Sequence, residues 1–293
     1  MKNRAAIFIR PVLIILICVC SGCAGNTSIN SHDDSISKDS GTYKKLVTLK
    51  PTPHLTQKFL LAVPAKPEGI VVLLPGGHGK INLTESFGYP IINDYRKNFI
   101  VRTYQQYLGS GFVVALIDCP EEFKRDGFHW VLRGGKAHEK CISAVIDHCR
   151  NLFDIPVWLV GTSSSTASVA FLGVSLRKKV DGLVFTSSLT HMKAKKFSLP
   201  ENGILDCGLL MVDDPVFVAA HEKDACEATP ASKSHMFKER LTNSPRVEIK
   251  IYSGGLPPRS GACDALSPHG FYGIENAVVG DIIQFIKTNT PSK

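Results

Sequence analysis

The chain has 293 residues, of which 44% are hydrophobic and 20% charged, and its formal net charge is +8. That apolar fraction excludes a wholly disordered protein. The basic excess comes with no nucleic-acid-binding motif and no basic run longer than that at 193–196, so the lysines read as a solvated surface and nucleic acid is not expected as a partner.

The first segment, 1–22, reads as an export signal. Lys2, Arg4 and Arg10 form a basic start and 12–20 an apolar run. That run is shorter than the roughly 20 residues a membrane-spanning helix needs. Removing the segment lowers the charge to +5. It ends in Cys20-Ser21-Gly22-Cys23, which resembles a bacterial lipobox, although leucine is usual where Cys20 stands. The resemblance implies cleavage before Cys23, acylation of that cysteine and a lipid anchor in the bacterial cell envelope. Such a cysteine carries more than one acyl chain, which makes attachment durable. Ala24 does not resemble an inner-membrane retention signal, which points to the outer membrane facing the periplasm. The alternative is an ordinary secretory signal with an incidental cysteine. Residues 23–42, rich in Ser, Asn, Asp and Gly, read as a flexible tether. The stretch 43–293, about 250 residues, is long enough for one domain with a large core.

Within that domain apolar strands alternate with helices. Strands are expected at 59–63, 70–74, 113–117, 157–160, 182–186, 215–221 and 247–252, and helices at 94–109, 136–153, 164–178 and 271–287. The second helix carries Ile142, Val145, Ile146, Cys149 and Leu152 at three- and four-residue spacing, an apolar stripe for one face. Continuous apolar strands separated by helices imply an α/β fold: a mostly parallel sheet covered by helices on both faces. Ligands bind such sheets at the carboxyl ends of the strands. The loops of interest therefore follow Leu74, Ile117, Val160, Thr186, His221 and Tyr252. The insertion 189–214 is too short for a cap domain and long enough for a small lid.

Three of those loops carry a catalytic pattern. Val157-Trp158-Leu159-Val160 runs into Gly161-Thr162-Ser163-Ser164-Ser165, close to the G-x-S-x-G turn that raises a serine hydroxyl above a sheet. A Ser/Thr-rich helix start is the plain alternative. After Leu74 comes Pro75-Gly76-Gly77-His78-Gly79, whose open backbone N–H groups suit an oxyanion hole. Gly77 and Ser164 are the expected donors, with His78 as the alternative to Gly77. After His221, Asp224 is the expected triad acid, with Glu222 and Asp214 as weaker candidates. His269, in Ser267-Pro268-His269-Gly270-Phe271 before the last helix, is the expected base. The order Ser163, Asp224, His269 is that of α/β-hydrolases.

Beyond the leader and the expected lipidated Cys23, Cys119, Cys141, Cys149, Cys207, Cys226 and Cys263 remain. Cys141 and Cys149 stand about 12 Å apart along one helix, too far to bridge. Cys226 lies just past the expected acid and Cys263 just before the expected base, so contact between Asp224 and His269 brings the two cysteines together. A Cys226–Cys263 disulfide is expected. No metal or other cofactor is expected, since His129 and His138 have no partners at ligand spacing. Asp118 is expected to shape the pocket or cap a turn, and Arg102 to form a structural ion pair.

Together, Leu73-Leu74-Pro75-Gly76-Gly77, Val160-Gly161-Thr162-Ser163, residues 221–226 and Ser267-Pro268-His269-Gly270-Phe271 resemble the α/β-hydrolase superfamily, in a bacterial exported branch. The resemblance runs over 60–286. It implies an α/β-hydrolase fold without a large cap domain and an esterase-like Ser-His-Asp hydrolase acting on a small acyl substrate. The departure is Ser164-Ser165, where Arg-Gly or similar is usual in the superfamily. The other readings are a peptidase or acyltransferase on the same machinery, and a non-catalytic binding lipoprotein that keeps the fold.

Overall fold

The computed structural model describes residues 41–125, 127–192 and 200–290. The leader, Cys23 and most of the tether lie outside them. Ten strands are described: β1 (Tyr43–Thr52), β2 (Leu55–Val63), β3 (Gly69–Leu74), β4 (Leu83–Ser86), β5 (Tyr89–Ile92), β6 (Phe112–Ile117), β7 (Val157–Thr162), β8 (Gly182–Thr186), β9 (Val216–His221) and β10 (Val247–Tyr252). Six helices accompany them: α1 (Phe99–Gly109), α2 (Trp130–Arg133), α3 (Lys136–Leu152), α4 (Thr166–Ser175), α5 (Met236–Arg240) and α6 (Glu275–Asn289).

Eight strands form one sheet in the order β1-β2-β6-β3-β7-β8-β9-β10. β2 is antiparallel to both its neighbours, and every other pairing is parallel. The central strands β3, β6, β7, β8 and β9 are buried along their whole length, as a sheet covered on both faces requires. Successive side chains alternate between two cores. Ile70, Val72 and Leu74 of β3 pack with Ile142, Val145, Ile146 and Cys149 of α3 and with α4. Val71 and Leu73 pack on the other face with Ile100 and Tyr107 of α1 and with Val278, Ile282 and Phe285 of α6.

The expected apolar strands and the four long helices are all present, with shifted ends. α1 begins at Phe99 because the Asn98 side chain accepts from the Ile100 N–H and caps it there. α6 begins at Glu275 because Phe271 and Gly273 take left-handed backbone angles, which no helix continues. The insertion after Leu189 does not form a lid in its described part. Ile204, Leu205, Leu209 and Val212 are buried in the core that contains α4, and none of its described residues lines the cleft to which Ser163 and His269 belong. Cys141 and Cys149 are free and buried.

Candidate active site

Ser163 follows β7 directly, on the first residue of a 3-10 turn that leads into α4. Its φ is +54°, a left-handed conformation unusual for a residue with a side chain. Two neighbours hold that turn. At Gly161 a Cβ would come within 2.6 Å of Val169 Cγ2, so only glycine lets α4 lie this close to β7. Ser165, fully buried, ties the turn to the sheet. Its Oγ accepts from the Thr162 N–H at 2.7 Å, and its hydrogen points between the carbonyls of Leu74 (2.6 Å) and Thr162 (2.8 Å). Serine at this position therefore contributes a strut between β3 and β7 that glycine lacks.

The segment after β9 presents Asp224, and the segment before α6 presents His269. Asp224 Oδ2 accepts from His269 Nδ1 at 3.0 Å and from Thr229 Oγ1 at 2.8 Å, while Oδ1 accepts from the Cys226 N–H at 2.9 Å. Both side chains are buried. A carboxylate only accepts, so Nδ1 carries a hydrogen, and in the neutral imidazole Nε2 keeps its lone pair. Nε2 is buried and has no partner among the described residues. The histidine backbone is fixed on both sides: Ser187 Oγ donates to the His269 carbonyl at 2.7 Å, and Arg102 Nη2 donates to the Gly270 carbonyl at 2.5 Å. Arg102 also pairs with Glu275 at 2.8 Å, the expected ion pair.

Ser163 and His269 line one cleft of about 440 Å³, together with Gly77, Thr162, Tyr95, Phe99 and Leu266. The Ser163 hydroxyl and His269 Nε2 are not hydrogen-bonded to one another. Glu222 and Asp214 are not part of the constellation. Glu222 is exposed. Asp214 precedes β9 at its opposite end, where burial, with Asp213 and Asp181 nearby, pushes its carboxyl up to about 7.

The loop after β3 lies against the serine turn. Gly77 has φ +59°, and its carbonyl accepts from Ser164 Oγ at 2.7 Å and from Arg133 Nη2 at 3.1 Å. The same Nη2 donates to the Pro75 carbonyl at 3.0 Å, and Nη1 to Ser168 Oγ at 3.3 Å. The His78 N–H instead faces the Tyr95 hydroxyl at 3.4 Å, and His78 does not line the cleft. Arg133 is 1% exposed and has no carboxylate partner among the described residues. Burial pushes its guanidinium down to about 10. His138, also buried, bonds Ser168 Oγ at 3.0 Å, and burial with the Arg133 charge pushes it down to about 3. Asp118 caps a turn: its carboxylate accepts from the N–H groups of Ile81, Asn82, Leu83 and Cys119 and pairs with Lys124 at 2.8 Å.

The Cys226–Cys263 disulfide is present, with Cα atoms 4.6 Å apart. It joins the Asp224 segment to the wall of the cleft, to which Cys263 belongs. Three contributors lacked any signal in the sequence: Thr229, five residues past the acid; Arg133, in a four-residue helix; and Tyr95, in a loop.

No family model and no curated protein matches this chain in sequence. Solved structures do. An esterase of Pyrococcus furiosus is similar over 84% of this chain and 92% of its own, with 12% identity and a TM-score of 0.58. The esterase Est1E of Butyrivibrio proteoclasticus is similar over 84% of this chain and 98% of its own, with 13% identity and a TM-score of 0.58. A dienelactone hydrolase of Anabaena variabilis is similar over 86% of this chain and all of its own, with 15% identity and a TM-score of 0.60. These neighbours are α/β-hydrolases, and the sheet with its flanking helices is the α/β-hydrolase fold. At such identities the likeness is one of fold.

Proposed function

We propose that the chain is a serine hydrolase that cleaves an ester or related acyl compound through Ser163, His269 and Asp224. The observation that carries the reading is that His269 and Ser163 line the same cleft, with His269 Nε2 buried and unpartnered among the described residues while Asp224 holds Nδ1 at 3.0 Å. A neutral serine hydroxyl is a poor nucleophile, and an imidazole with an unengaged ring nitrogen beside it is what would activate it. The missing serine–histidine hydrogen bond fits a site without substrate, since such bonds often close only in the complex.

The chemistry then follows from each role. His269 Nε2 takes the Ser163 proton as Oγ attacks the acyl carbon. Asp224 keeps the imidazole in the productive tautomer and stabilises its cationic form. The N–H groups of Gly77 and Ser164 receive the oxyanion, each such donor being worth about 3–4 kcal/mol in the transition state. His269 protonates the departing alcohol, an acyl-enzyme forms on Ser163, and water repeats the sequence in reverse roles. The test is turnover of a p-nitrophenyl ester by Ser163→Ala, which is expected to lose at least about a thousandfold in kcat while its circular dichroism stays native. Undiminished turnover would overturn the assignment.

We also propose that the protein is exported and tethered to the cell envelope through Cys23. The disulfide supports an oxidising compartment, and the leader composition supports lipid attachment.

A further inference from the structure

The cleft shared by Ser163 and His269 has a net positive lining, two cations against one acid. Lys97 and Arg259 both line it, and neither forms an ion pair among the described residues. The one acid in the lining, Asp264, accepts from the Gly261 N–H at 3.1 Å. Lys97 enters at the start of α1. That helix has no acid in its first turn, and its cap Asn98 and first residue Phe99 also face the cleft, so the positive end of the helix dipole adds to the lysine charge.

Both cations stand on fixed backbone. The Lys97 carbonyl accepts from Arg102 Nη1 at 2.5 Å. The Arg259 N–H donates to the Leu266 carbonyl at 2.8 Å, the Leu266 N–H to Ser260 Oγ at 3.0 Å, and Ser267 Oγ to the Asp264 carbonyl at 2.8 Å. The disulfide pins Cys263 in the same wall. The Arg259 guanidinium is seated over the Tyr272 ring, 6.0 Å from its centroid. Phe99, Ala265 and Leu266 supply apolar lining to the same cleft.

We propose that this cleft selects esters that carry a carboxylate on the acyl or the alcohol portion, with Arg259 and Lys97 as the specificity-determining residues. The inference rests on the hydrolase reading above. A concave site whose lining carries a net charge of one sign concentrates ligands of the other. A planar guanidinium matches a carboxylate with two parallel hydrogen bonds, which a neutral ester cannot accept in the same way. The apolar residues suit the carbon chain that would join the reacting carbonyl to the anion.

The experiment compares kcat/KM on two matched pairs. p-Nitrophenyl hydrogen adipate is set against its methyl ester, which places the charge on the acyl side. 4-Acetoxybenzoate is set against its methyl ester, which places the charge on the alcohol side. Each rate is taken relative to Ser163→Ala. The expected result is a preference of about tenfold or more for the charged member of at least one pair, the size of one charge-assisted contact. That preference falls toward unity in the Lys97→Gln/Arg259→Gln double variant and in high salt. Equal or faster Ser163-dependent turnover of the neutral member in both pairs overturns the inference and leaves the hydrolase reading standing. A preference retained by the double variant overturns the roles of Lys97 and Arg259. No Ser163-dependent turnover of any of the four overturns the hydrolase reading and this inference with it.

Discussion

Ser165 is where the reading from the sequence and the folded chain differ most. The sequence marks it as a departure from the usual glycine, and in the fold its buried Oγ binds the Thr162 N–H and the Leu74 carbonyl at once. The close approach of strand and helix is secured four residues earlier, at Gly161. Deleting the hydroxyl leaves a buried N–H unsatisfied, which costs about 1–3 kcal/mol. Ser165→Ala and Ser165→Gly are therefore both expected to lower stability by that amount in urea denaturation. A Ser165→Gly variant as stable as the parent would contradict the strut. Ser163, Asp224 and His269 were legible because each stands just past a strand or just before the last helix, in a recognisable order. Thr229 was not, because its link to Asp224 and His269 exists only once two distant loops meet. Arg133 was not, because an isolated arginine in a short helix gives no hint that it will be buried against two backbone carbonyls.

Among the elements, the fully apolar strands were the easiest to recognise, since a strand covered on both faces has no polar alternation to blur it. β1 was missed because it is an edge strand that carries Lys44, Lys45 and Lys50 and ends near a proline, features that protect an edge and disguise a strand. The β4–β5 hairpin was missed because each strand has only four residues and its turn exposes Phe87. The disulfide was legible by inference from the expected triad, and it ties the acid segment to the cleft wall. With the two cysteines 37 positions apart in the sequence, the chain-entropy model assigns the bridge about 4 kcal/mol. Cys226→Ser/Cys263→Ser is expected to unfold at correspondingly lower denaturant and to lose the proposed hydrolase activity before it loses structure, because the Asp224 and Arg259 segments are no longer held together. Full activity in the double variant would show that the hydrogen bonds alone fix the acid.

For the molecule as a whole, fold class followed from strand–helix alternation, which survives errors of several residues at every boundary. The leader, Cys23 and most of the tether lie outside the described residues, so the proposed anchoring is a question for the cell. Cys23→Ser is expected to move the protein from the membrane fraction to the soluble envelope fraction, and an unchanged distribution would remove the lipid anchor from the account. The central claim is that Ser163 is a nucleophile activated by His269. It is tested most directly by treating the purified protein with a fluorophosphonate and mapping the modified peptide by mass spectrometry. The account predicts one stoichiometric adduct, on Ser163, that His269→Ala slows by about a thousandfold or more. A protein that stays unlabelled while folded, or that is labelled elsewhere, would contradict it.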